Sequence, residues 1–366
     1  MSSRETSRRP RGTQSPSRAL AVHVSKVPVA AAAMEGLGTP LVLDTGRPVC
    51  AAEFCPFAPG ARLLAVGATD GISLLSAGVE GADAALRPTA ALQCPGVTVQ
   101  AIAWGKDSTP ELRLVAAGPR ALSVHALGAH GESSRQVAQL PAEHGGGDIF
   151  ACSFLAGRTD RVAVTGDECQ CHILQLPTDA SPCAAVRSLA LRSEGVAVRT
   201  CEHEPEQLMV AEGAGSVHFV DLRANDARPS LSRTLPATFR RDAGGLRDAD
   251  WSPRDPYLVG GVCADQWVCW DLRFQGANPL PYAGDAQFEG ASVFRWAPDS
   301  LRFAVAGSSD ELLVTSVGPS AGAQGSLRAR HGLPACIGGV SWLHHCDKGA
   351  HVAGTCDSKV CVWSLS

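Results

Sequence analysis

The chain has 366 residues, 45% of them hydrophobic, and a formal charge of −4. This is ample apolar material for a large core, without the strongly basic balance of a nucleic-acid binder. No run of 18 apolar residues occurs, so no segment is long enough for a transmembrane helix.

Residues 1–35 hold Arg4, Arg8, Arg9, Arg11, Arg18 and Lys26 against Glu5 and Glu35, which gives +4 and leaves −8 on the remainder. This basic, Ser-rich tail reads as a disordered, solvated extension. Transit-peptide and nucleic-acid-arm readings share its composition. Val27–Met34 is short and broken by Pro28, a poor secretory segment. Met34 is an alternative start that leaves room for a lead-in strand, so residues 1–33 are expected to be non-essential or untranslated. The 14 cysteines are scattered, and Cys152, Cys171, Cys269 and Cys361 fall inside predicted strands. With no signal peptide, reduced thiols are expected, in cytosol or nucleus.

Pro40–Asp44 is the first strand candidate. A short phrase then recurs, an alternating small-apolar strand with an aromatic anchor, often followed by Pro. The anchors are Phe54, Trp104, Phe154, Trp251, Trp296 and Trp342, and the fourth copy, near Glu202, lacks its aromatic. Successive intervals are 50, 50, 48, 49, 45 and 46 residues. After each anchor come a second apolar stretch, a Gly/Asp turn and a third stretch. Compare Leu63–Leu75 with Phe303–Val314, and with Val352–Trp363, whose turn holds Asp357. Gly and Asp suit the positive φ of a tight hairpin, and the flanking alternation is a strand signature. Third strands end at Asp221, at Trp270-Asp271 and at Trp363.

Several short strands per unit at this spacing predict propeller blades. Two β-sandwiches would also supply short strands, but not one phrase seven times over. The expected fold is all-β, a seven-bladed WD40-type β-propeller over residues 36–366. Its aromatic anchors are structural, joined by Trp270 and Trp363 on third strands. The last unit stops after three strands, so the segment before Asp44 is expected to complete its sheet and remove an exposed edge. Deleting residues 36–46 should then be strongly destabilising.

Five stretches fall in order at intervals that resemble one family. They are Glu53–Phe57, Gly96–Trp104, Gln207–Glu212, Asp265–Leu272 and Val293–Trp296. Together they resemble the thirty-seven-kilodalton WD-repeat nucleoporins of the Y-shaped outer-ring complex of the nuclear pore. The resemblance spans roughly residues 40–366. It implies a scaffold subunit at the nuclear envelope that docks on a large propeller-plus-α-solenoid nucleoporin and supports pore assembly and nucleocytoplasmic transport. Some animal members also associate with kinetochores. The longer basic N-terminus, the Ala/Gly-rich loops and the missing fourth aromatic depart from the family pattern.

Candidate chemistry is sparse. Cys169 and Cys171, two apart and followed by His172, would share one strand face, but no second ligand pair accompanies them. His344, His345 and Cys346, with Cys356 and Cys361, fall across one predicted hairpin. Neither group is expected to hold a metal. No Gly-x-Ser-x-Gly, P-loop or His-Glu-x-x-His motif occurs. Gly145–Gly147 lacks the Lys and following helix of a phosphate cradle, and His144-Gly145 reads as a structural pair. No enzymatic activity, cofactor, small-molecule substrate, specific nucleic acid or membrane insertion is expected. Phe239, Arg240 and Arg241, an aromatic beside two arginines in an inter-blade loop, are the candidate partner contacts. The competing reading is a free WD40 adaptor, such as a ubiquitin-ligase substrate receptor or histone-binding propeller. It predicts charged or aromatic residues around one channel mouth, where the loops read as mostly Ala, Gly and Ser.

Overall fold

The computed structural model describes residues 40–365, apart from 58–61, 70, 79–83, 107–108, 120, 142–146, 178–183, 225–227, 236–243, 275–281, 287–289, 299–300, 310, 318–326, 331–336 and 344–349. Its regular elements are all β-strands, beginning with β1 (Leu41–Asp44). Blade 1 holds β2 (Val49–Phe54), β3 (Leu63–Ala68), β4 (Gly71–Gly78) and β5 (Ala85–Gln93). Blade 2 holds β6 (Ala101–Lys106), β7 (Leu112–Gly118), β8 (Ala121–Leu127) and β9 (Ser134–Pro141). Blade 3 holds β10 (Ile149–Leu155), β11 (Arg158–Gly166), β12 (Gln170–Gln175) and β13 (Ala184–Ala190). Blade 4 holds β14 (Gly195–Cys201), β15 (Glu204–Glu212), β16 (Ser216–Asp221) and β17 (Leu231–Thr234). Blade 5 holds β18 (Asp248–Trp251), β19 (Leu258–Cys263), β20 (Gln266–Asp271) and β21 (Tyr282–Asp285). Blade 6 holds β22 (Ala291–Trp296), β23 (Arg302–Gly307), β24 (Glu311–Ser316) and β25 (Leu327–Arg330). Blade 7 holds β26 (Ile337–Trp342), β27 (Ala350–Cys356) and β28 (Lys359–Leu365), and β1 is its fourth strand.

Each blade is a four-stranded antiparallel meander, and the first strands of successive blades adjoin around a central channel. The strand sequences follow from this placement. Second strands such as Leu258–Cys263 are buried at every position, because neighbouring blades cover both sheet faces. Outer strands such as Leu231–Thr234 and Tyr282–Asp285 alternate between half-buried and exposed. That is the period-2 pattern of a sheet with one side in water.

There is no single central core. Seven hydrophobic clusters each fill one junction between adjacent blades. At the junction of blades 4 and 5, Phe219 meets Trp251 edge-on at 5.1 Å. Between blades 5 and 6, Phe294 stacks on Phe303 at 4.7 Å while Trp267 meets Phe303 at 5.0 Å. The anchors Phe54, Trp104, Phe154, Trp251, Trp296 and Trp342 are buried at the ends of inner strands, and Trp270 and Trp363 are buried on third strands.

One expectation is sharpened and another is corrected. The fourth anchor position, expected near Glu202, is Thr200. Thr200 pairs with Leu208 as Phe154 pairs with Val162, whereas Glu202 is exposed in the following turn. The glycines of the repeated phrase also serve a different purpose. Asp357 does take a positive φ of 52° in its hairpin. Gly67 and Gly307, however, lie on second strands, and a Cβ there would collide with Val99 and with the Gly290 carbonyl. Close approach, not turn geometry, requires glycine at these two sites.

β1 closes the ring. Leu41, Val42, Leu43 and Asp44 pair with Val362, Cys361, Val360 and Lys359. Beyond β1, the Thr45 amide and hydroxyl both donate to the Ser358 carbonyl at 2.8 Å. Without β1, β28 would be an open edge and the apolar faces of Leu41 and Leu43 would leave the junction of blades 7 and 1. Deleting residues 40–44 is expected to lower the melting temperature by about 5–10 °C or to abolish the cooperative transition. Circular dichroism melts of the full chain and the deletion check this.

Candidate functional site

The channel wall is built from inner-strand residues, and the repeat makes its geometry periodic. The residue just before each anchor position is Glu53, Ala103, Ser153, Arg199, Asp250, Arg295 and Ser341 in blade order. Six of them, all but the buried Ser341, line a cavity of about 540 Å³ along the axis. The same positions carry the joints between blades. The Trp104 indole N–H donates to the Glu53 carbonyl at 2.9 Å, Trp296 to that of Asp250 at 3.1 Å, and Trp342 to that of Arg295 at 3.0 Å. Thr200 keeps this pattern without an aromatic, its hydroxyl donating to the Phe154 carbonyl at 3.2 Å.

Five channel residues form a charged group. Asp248 accepts the Phe294 amide at 3.0 Å, lies 3.5 Å from Arg199 and pairs with Arg295, so one carboxylate ties blades 4, 5 and 6. Asp250 lies 3.3 Å from Arg199 and accepts the Trp296 amide at 2.9 Å. Burial raises the Asp250 carboxyl above its ordinary range, against the pull of Arg199 and Arg295. Glu53, reaching in from blade 1, is pushed up to about 7 by burial, with Arg295, Arg199 and a Ser341 hydrogen bond opposing.

One mouth is shaped by the starts of the inner strands. Pairing shifts register at Cys50, Phe150, Val196 and Ser292, four β-bulges at equivalent positions. A bulge turns its residue out of the ladder and toward the opening. Gln100, Arg247 and Gly338 complete this ring. The small-residue mouth expected from the sequence is therefore corrected. Phe150, Gln100 and Arg247 stand there exposed, and the wall below is charged.

The remaining sequence candidates are dispersed. Cys169 is not on a strand face with Cys171. It sits in the β11–β12 turn at φ 55°, while Cys171 is buried in the junction of blades 3 and 4. Burial pushes the Cys171 thiol up to about 12, and that of Cys361 likewise. Cys356 and Cys361 lie on paired strands, neither of them in a disulfide. No group of three or more His, Cys, Asp or Glu among the described residues is placed to hold a metal ion. His144, Gly145, Phe239, Arg240, Arg241, His344, His345 and Cys346 lie outside the described residues.

Exposed Ser232 is hydrogen-bonded to His218 Nδ1 at 2.9 Å, and His218 Nε2 lies 3.3 Å from a carboxylate oxygen of buried Glu212. The neighbouring blade repeats the His–Ser pair as His172 and Ser188 at 2.7 Å, with Glu168 of the preceding turn 3.8 Å from His172. Recurrence of the His–Ser pair at equivalent positions, linking third strand to outer strand, fits a structural tie.

Over 139 residues the chain is 30% identical to Nucleoporin Nup37 of Homo sapiens, covering 37% of this chain and 37% of that protein. Over 108 residues it is 32% identical to Nucleoporin Nup37 of Mus musculus, covering 29% and 30% respectively. The chain has a stretch similar to Nup37. The matches span 37% and 30% of the relatives' own lengths. No protein-family model matches.

Two predictions follow from the channel wall. Asp248→Ala leaves Arg199 and Arg295 with unbalanced charge and is expected to destabilise by about 3–5 kcal/mol. Trp342→Phe, which removes one neutral hydrogen bond, should lose only about 1 kcal/mol. Urea denaturation of the two variants tests the ranking. Glu53 gives a pH signature. Between its ordinary 4.5 and about 7 the folded protein holds a proton that the unfolded chain has released. Stability from this group is therefore greatest at low pH and falls as pH rises through that window. Glu53→Gln should raise stability at pH 8, by on the order of 2–3 kcal/mol, and change it little at pH 4.5. Denaturation curves across pH 4.5–8 read the difference.

Proposed function

We propose that the chain is a non-catalytic scaffold subunit of the nuclear pore outer ring. It docks on a large propeller/α-solenoid nucleoporin of the Y complex, at the nuclear envelope, and supports pore assembly and nucleocytoplasmic transport. The observation that carries this reading is the 139-residue similarity to Nucleoporin Nup37. The closed seven-bladed ring supports it physically. Blades locked by junction cores and inter-blade hydrogen bonds suit a rigid part that holds other proteins in fixed relation. In this reading the chain needs no cofactor, and its partners are proteins.

The free-adaptor reading has an observation of its own, the charged channel behind Phe150, Gln100 and Arg247. Propellers host many functions on one fold, so the choice rests on the cellular assembly. A fluorescently tagged full chain is expected to mark the nuclear rim. Affinity purification followed by mass spectrometry should recover outer-ring nucleoporins in near-stoichiometric yield. Diffuse nucleoplasmic signal, with ubiquitin-ligase subunits or histones in place of nucleoporins, would establish the adaptor and overturn the scaffold.

A further inference from the structure

The charged groups of the channel do not balance. Three carboxylates, Glu53, Asp248 and Asp250, share the wall with two guanidinium groups, Arg199 and Arg295. The two arginines are engaged by the aspartates of blade 5 and by the Val198 and Phe294 carbonyls. Among the described residues, Glu53 has no ion pair within 4 Å. It takes a hydrogen bond from the Ser341 hydroxyl, which is itself occupied by the Phe54 amide. At the mouth, Arg247 and Glu194 offset each other in number. With Glu53 ionised, the group as a whole lacks one positive charge.

The access route narrows the choice of guest. Glu53 is three residues along its strand from Cys50 at the mouth, a depth of about 10 Å. Only a long, slender group reaches it from a chain that stays outside. The way in passes Phe150, 39% exposed, and the half-buried Val196, so the guest's stem must be apolar. A bare metal ion would find no set of three ligands there among the described residues. An anion would face Glu53 while both arginines are already paired. An arginine or lysine side chain meets every requirement, with an aliphatic stem, a cationic head and several donors.

We infer that the channel takes up one cationic side chain, an arginine or lysine from an extended segment of a partner protein, with its head on the Glu53 carboxylate and its stem beside Phe150. The groups facing Glu53 are Arg199 of blade 4, Asp250 of blade 5, Arg295 of blade 6 and Ser341 of blade 7. Burial holds this carboxyl near neutrality when the channel is empty, and a guest cation would restore its charge. Affinity should therefore rise with pH across neutrality.

The probes are Nα-acetyl-arginine amide and Nα-acetyl-lysine amide, with Nα-acetyl-citrulline amide as the uncharged control. Trp104, Trp296 and Trp342 line the channel and report binding by intrinsic fluorescence. At pH 8 the purified chain is expected to give a saturable response to the cations at roughly millimolar concentration. The response to citrulline should be at least about tenfold weaker, as should that to the cations at pH 5.5. Glu53→Gln should abolish it. Overturning results are no saturable response to either cation at pH 8, an equal response to citrulline, or undiminished binding by Glu53→Gln. Should that variant not fold, the comparison of pH 8 with pH 5.5 on the unaltered chain decides. No other subunit is present in the measurement, so its outcome is independent of the pore assignment.

Discussion

Leu41–Asp44 pair with residues 359–362, so contacts between positions more than three hundred residues apart hold the two ends of the propeller together. In a ring of seven sheets, each blade depends on both neighbours for the burial of its faces. A break at one junction would expose two apolar faces and leave blades 1 and 7 covered on one side only. Fixing the ends of so long a chain costs loop-closure entropy, which grows only slowly with length. A single four-residue strand with an apolar inner face can therefore suffice, provided the other six junctions are already packed. The hydrogen bonds of Thr45 to Ser358 extend the seam past the strand itself.

Around the channel the problem is different, because inner strands have no further strand to pair with on their open edge. Water and side chains must satisfy them. The chain uses aromatic indoles at three junctions and a threonine hydroxyl at a fourth, each donating to a carbonyl of the preceding blade. Asp248 and Asp250 do the converse, accepting amides of blade 6. Carboxylates in this position must be balanced, since partly buried charge is costly unless paired and hydrogen-bonded. Arg199 and Arg295 supply that balance for blade 5, and the polar groups of the wall thereby lock blades 4, 5 and 6 into one electrostatic unit.

Much of the fold was legible because the repeat states it seven times. Aromatic anchors at near-constant spacing, Asp357 in its hairpin and the strand before Asp44 each followed from local chemistry. The fourth blade misled because its anchor is polar. With Phe or Trp absent, interval alone points to the neighbourhood of Glu202, where Thr200 holds the position through hydrogen bonding and strand pairing. The glycines misled for a related reason. Gly67 and Gly307 are demanded by a neighbouring segment's approach, which no local pattern reveals. The channel charges were present in the phrase itself as the residue before each anchor. Glu53, Arg199, Asp250 and Arg295 are far apart in sequence, and only ring closure shows that they share one cavity.

That cavity is not symmetric, although the repeat that builds it nearly is. Blades 2 and 3 present Ala103 and Ser153 to the axis, while blades 4, 5 and 6 present Arg199, Asp250 and Arg295. One half of the wall is thus small and uncharged, and the other is dense with paired charge. Glu53 and Ser341, from blades 1 and 7, stand between the two halves. A repeat under no further demand than closing a ring would keep small residues at all seven positions, as Ala103 does. Departures concentrated on one side therefore mark positions where the wall is adapted to something besides closure. The interlocking of three blades accounts for Arg199, Asp248, Asp250 and Arg295, each of which has a partner. It does not account for Glu53, whose charge stabilises no junction and is itself disfavoured by burial. Its presence is best explained by a group that reaches the channel from outside.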